Sequence, residues 1–203
     1  MRQVGVVSWL AMRELWVSYR LLVLLGAFVA AGAFVAIVPD VPAVLHERFS
    51  LGLGLAVGVA AAVAAWSIAR ERELGRAGWL VSRAVRRRTL LAGWFIALGA
   101  TTLIGLVAAA GLGWAAVSSV SRPPDGLTFG LHTAAIGCGA LAATALGLLV
   151  GALVPFRPAI VLALVLCAAL GVVVVLVPGM DAVLPGGAHL ALADPDRAAR
   201  PVA

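Results

Sequence analysis

Five stretches of the chain are almost uninterrupted runs of apolar residues, and the segments between them are charged or rich in Pro and Gly. Leu21 to Val38 holds eighteen residues without a charge. At 1.5 Å rise per residue that length suits a hydrocarbon core about 30 Å thick. Pro39, Asp40 and Pro42 end this first span, and the loop to Ser50 carries Asp40, Glu47 and Arg48. Phe49 to Ala69 is the second predicted span and Leu90 to Val117 the third. The third is 28 residues long, more than a bilayer core needs, so it must tilt or protrude. Trp94 and Trp114 stand near its two ends, where indoles favour the membrane interface. A turn region with Arg122, Pro123, Pro124, Asp125 and Gly126 leads to the fourth span, Phe129 to Val154. The short turn Pro155 to Pro158, with Arg157, leads to the fifth, Ala159 to Val177. The tail from Pro178 to Ala203 contains no further apolar run of that length.

Two segments break this pattern and give it direction. Met1 to Arg20 mixes Val4, Val7, Trp9, Leu10, Leu15 and Trp16 with Arg2, Arg13, Glu14 and Arg20, which predicts an amphipathic helix lying in the interface. A charged lead of twenty residues and the eighteen-residue apolar run after it are both too long for a signal peptide. Arg70 to Arg88, RERELGRAGWLVSRAVRRR, holds seven of the fifteen arginines and cannot lie in hydrocarbon. Its order is an acid–base run, Gly75, an apolar patch at Trp79 to Val81, then a basic exit. That order predicts a short helix along the membrane surface. With the amino terminus in the cytoplasm, eleven arginines fall inside and four outside, a bias that sets the orientation. Five spans then place the tail outside.

Composition adds what the chain can and cannot do. At 63% hydrophobic, 12% charged and mean hydropathy +1.10, it reads as an all-α, polytopic membrane protein forming one transmembrane domain. The net charge of +6 sits in short loops, as topology requires, so nucleic acid is not an expected partner. All fifteen basic side chains other than histidine are Arg. Without lysine there is no P-loop, so the chain is not expected to bind nucleotide or to be an enzyme. No charged residue lies well inside a span, which disfavours an ion-coupled transporter. Ser67, Thr101, Thr102, Thr133 and Thr144 have no catalytic base at shared depth, and no catalytic residue, cofactor or metal site is expected. His132 is expected as an interfacial polar residue, and Cys138 and Cys167 as small apolar packing. Small residues four apart mark candidate helix-packing faces: Gly54 with Gly58, and Gly139, Ala143, Gly147 and Gly151 along the fourth span.

Arg72, Glu73, Gly75, Leu80, Ser82 and Val85, followed by Arg86 to Arg88 and Gly93 at the start of the third span, resemble a known cytoplasmic stretch. In the permeases of ABC-2 type transporters that stretch joins the second and third spans. Arg76 stands where that family often has Thr, and Ala84 where it has Pro. Met1 to Arg20, ending in MRELWVSYR, is similar to the family's amino-terminal interfacial helix, and the resemblance covers about residues 1 to 178. It implies a permease subunit of the bacterial cytoplasmic membrane, an exporter, paired as a homodimer or with a second permease. A separate ABC ATPase would supply the energy through coupling helices. By resemblance Arg70 to Ser82 is the coupling helix: Glu71, Arg72 and Glu73 would make ion pairs, Trp79 and Leu80 would anchor in the ATPase, and Gly75 belongs to the same coupling set. The family has six spans and the sequence shows five, so the chain is expected to stop one span short. A different class of function, a non-transporting scaffold that recruits a cytosolic partner through residues 70–88, is the alternative reading.

Overall fold

The computed structural model of the protein describes residues 2–37, 42–75, 86–118 and 126–176. Among them every element is an α-helix: α1 (Arg2–Val17), α2 (Arg20–Ile37), α3 (Pro42–Glu73), α4 (Arg87–Ser118), α5 (Gly126–Leu153) and α6 (Phe156–Leu176). Three of these are by themselves long and apolar enough to cross a membrane, over Gly52–Glu73, Arg87–Ala116 and Phe129–Leu153. α1 and α2 meet at a bend of 76°, and the apolar stretch Phe156–Leu170 of α6 is shorter. The protein is an all-α membrane protein.

The helix ends differ from the sequence-based limits for local reasons. α3 does not stop at Ala69 but continues through Arg70, Glu71, Arg72 and Glu73, so the acid–base run is its last turn and not part of a separate surface helix. Arg and Glu are good helix formers, and the Arg70–Glu73 pair, at 3.5 Å, spans three residues along the helix. Nothing breaks the backbone until Gly75, whose φ of +71° is the left-handed conformation that closes helices. Its N–H donates to the Arg72 carbonyl at 3.1 Å. Residues 76–85, with Trp79 and Leu80, and the tail 178–203 lie outside the described residues.

α3 is the centre of the fold, with α2, α5 and α6 packed around it, while α4 lies against α2 and α5 and carries α1 on its outer side. Close approaches show which way each helix runs. A Cβ on Gly147 would press on the Ala61 carbonyl and one on Gly151 on the Ala65 carbonyl, so α3 and α5 are parallel. A Cβ on Gly105 would lie 3.1 Å from Phe28, and one on Gly32 2.8 Å from the Ala109 Cα, so α2 and α4 are parallel too. Gly52 faces Ala31 while Trp66 lies beside Arg20, Gly137 faces Leu106 while Gly99 faces Leu141, and Gly58 faces Leu164 while Trp66 meets Phe156, so neighbours of opposite parity run antiparallel. The helices therefore alternate in direction along the chain. Three buried hydroxyls turn back on their own helices, Ser67 donating to Val63, Thr101 to Ala97 and Thr144 to Ala140, which satisfies them without water.

Two residues near helix ends are buried within the protein. Trp94 is only 4% exposed, and it stands next to Gly93, which lies against Val7 and Ser8 of α1, so it belongs to the packing around the amino-terminal helix. His132 is buried as well, on the α5 turn after Phe129, which stacks at 5.2 Å on Trp114.

Candidate functional site

The end of the bundle where α3 leaves the apolar layer gathers the polar chemistry. Arg20, Arg70, Glu71, Arg72, Glu73, Trp66 and Phe156 meet there, along with the starts of α2 and α6 and the end of α5. The chain arrives this way because α3 and α5 run toward this end while α2, α4 and α6 start from it. Arg13, Arg86, Arg87, Arg88 and Arg157 belong to helices or helix starts at the same end, and their side chains are exposed.

Aromatic rings organise the centre. The Arg20 guanidinium lies 5.2 Å from the Trp66 ring, Trp66 and Phe156 are tilted at 47° with centroids 6.4 Å apart, and the Arg70 guanidinium lies 5.6 Å from the Phe156 ring. The result is a continuous stack from α2 through α3 to α6. A cation held over a ring is worth about 0.5–1 kcal/mol when exposed and about 2 kcal/mol when shielded from water. Arg20, at 4% exposure, belongs to the second case, and Arg70, on the surface, to the first. Arg20 and Glu71, of opposite sign, are the two buried charges among the described residues.

Arg72 makes the remaining connection. Its Nη1 donates to the carbonyl of Gly151 at 3.1 Å and to that of Val154 at 3.3 Å, across the break between α5 and α6. Basic groups near the carboxyl ends of α3 and α5 also match the negative ends of both helix dipoles.

The sequence-derived residues are thereby placed. Glu71 is buried, Arg72 is turned onto the α5 end, Glu73 and Gly75 are exposed, and Trp79 and Leu80 lie outside the described residues. Of the small residues, Gly147 and Gly151 stand where no side chain fits against α3, Ala143 is buried, and Gly139 is half-buried. Gly58 has only the Leu164 methyl nearby, at 3.8 Å, and Gly54 has no atom within 4 Å of its Cβ position. Arg20, Trp66, Arg70 and Phe156 were not singled out in the sequence as a group. Each sits at a span boundary, where an Arg or Trp is ordinarily read as an anchor, and only the alternation of helix directions brings them together.

A family described as ABC-2 family transporter protein matches residues 6–192 of the chain. No curated protein and no solved structure matches it.

Proposed function

The chain belongs to the ABC-2 family of transporter proteins, and from that membership we propose that it works with a separate ABC ATPase as an exporter in the bacterial cytoplasmic membrane. As a family member it is the permease of an ABC transporter, a membrane transport component that is not itself catalytic. In this reading two permeases, identical or different, form the path, and five spans carry the chain from a cytoplasmic amino terminus. The arginines gathered at one end support that orientation.

One observation carries the proposal: the last turn of α3, from which residues 76–85 depart, is bonded or stacked onto α6 and the end of α5, and through Trp66 onto α2. A push on the segment between α3 and α4 would reach three other helices. Glu73 and Gly75, exposed, belong to the face offered to the ATPase, and Trp79 and Leu80 would be its apolar anchor. Glu71, buried, and Arg72, bonded to the end of α5, would pass the push on. Exposed ion pairs contribute about 0.2–1 kcal/mol each, whereas a buried Trp or Leu anchor can contribute about 2 kcal/mol or more. In a quantified co-purification with the partner ABC ATPase, Trp79→Ala or Leu80→Ala should weaken recovery more than Arg76→Ala. Equal losses for all three, or none, would count against docking through a helix anchored here.

A further inference from the structure

The carbonyls that Arg72 engages are the two that proline leaves without a partner. In an α-helix the carbonyl of residue i accepts from the N–H of residue i+4. Four residues after Gly151 stands Pro155, and four after Val154 stands Pro158, and neither has an N–H to give. The neighbouring bonds are present: Val154 N donates to Val150 O at 2.8 Å, and Ala159 N donates to Pro155 O at 3.0 Å. Gly151 and Val154 are thus the two carbonyls here whose i+4 residue is a proline, and one Arg72 nitrogen donates to both. The Gly151 carbonyl has the greater need, since Gly151 is buried against Ala65, whereas Val154 is half-exposed. Arg72 also continues the stripe of α3 that faces α5, two turns after Ala65, so its side chain needs no detour to reach the break.

We infer that Arg72 is a clasp: a positioning residue that sets the angle between α5 and α6 by supplying the hydrogen bonds the two prolines withhold. The break is then a joint whose angle is fixed from α3. While the Nη1 contacts hold, α6 keeps one direction. If the last turn of α3 moves, Gly151 and Val154 lose their donor together and α6 is free to swing. A movement of the last turn of α3 thereby reaches α6 through the break. The clasp does not require the ATPase, and docking through Trp79 and Leu80 does not require the clasp, so the two experiments fail separately, although the path from α3 to α5 in the proposed function runs through the same Arg72 bonds.

The test is a spin-label distance measurement on the full chain in lipid nanodiscs. Nitroxides are placed at Leu112→Cys on α4 and Leu170→Cys on α6, both exposed, with Cys138 and Cys167 changed to Ala. About 21 Å of helix separates Phe156 from Leu170, so each 10° of swing moves the label by about 4 Å. The parent should give one narrow distribution, and Arg72→Ala should broaden or shift it by about 4 Å or more. Arg72→Lys, which keeps a charged donor, should recover most of the parent's distribution. With Pro155→Ala and Pro158→Ala added, which return the missing N–H groups, Arg72→Ala should change nothing further. An unchanged distribution in Arg72→Ala, or an equal change with and without the prolines, would overturn the clasp. Should Arg72→Ala fail to accumulate, the clasp requires that it be recovered in the proline-free background, and failure in both backgrounds overturns it.

Discussion

At Gly147 the absence of a side chain decides how near two helices can come. A Cβ there would collide with the Ala61 carbonyl oxygen and lie 2.9 Å from the Ala64 Cβ, and both neighbours belong to a helix packed on several sides. Overpacking of this kind costs about 1–3 kcal/mol, because a backbone cannot move aside as a flexible side chain can. Gly54 supplies the control, since the space where its Cβ would go is open. Gly147→Ala should therefore lower the thermal unfolding midpoint in detergent, followed by tryptophan fluorescence. Gly54→Ala should leave it unchanged or raise it, as Ala gains up to about 1 kcal/mol over Gly within a helix. If the two behave alike, α3 and α5 do not meet through this face. Spacing in the sequence treated the two glycines as equals. A four-residue repeat identifies a face, but which face has a neighbour depends on helices that are distant in the chain.

At the scale of elements, the apolar runs were legible because a bilayer demands length and the arginines demand water. The ends of the runs were less so. Charge alone puts the limit of α3 at Ala69, yet a helix stops where its backbone bonding stops, and that is set by Gly75. The elbow between α1 and α2 makes the same point. Ser18 and Tyr19 close α1 with bonds to Glu14 and Trp16, and Tyr19 takes φ +59°, which few L-residues adopt. Nothing in the stretch WVSYR announces that turn, since neither Gly nor Asn is present. α1 then sends Val7, Ala11 and Leu15 inward while Trp9, Trp16 and Tyr19 remain exposed, an aromatic face suited to headgroups. Left-handed backbone at a residue with a Cβ costs about 1–2 kcal/mol. Tyr19→Gly should thus be more stable than Tyr19→Ala by about 1 kcal/mol, since both lose the ring and only one loses the strain. Equal unfolding midpoints for the two variants in detergent would mean that the elbow does not hold this conformation.

At the scale of the whole molecule, alternation of helix direction turns a list of loops into two chemically different ends. The end that collects the starts of α2, α4 and α6 and the finish of α3 carries Arg20, Arg70, Arg72, Arg86, Arg87, Arg88 and Arg157. Trp114, Phe129 and the start of α5 mark the opposite end. Translocating this many arginines is costly, so the first end should be cytoplasmic. Two exposed leucines report on the two ends: Leu74, just after α3, and Leu127, in the first turn of α5. In a background with Cys138 and Cys167 changed to Ala, Leu127→Cys should react with a membrane-impermeant thiol reagent in intact cells. Leu74→Cys should react only after the membrane is opened. The reverse pattern would invert the protein, and with it the proposal that an ATPase reaches the segment after α3. Labelling of both cysteines in intact cells would be more serious, since it would mean that α3 and α5, which run parallel and in contact from Ala61 to Gly151, do not separate two compartments.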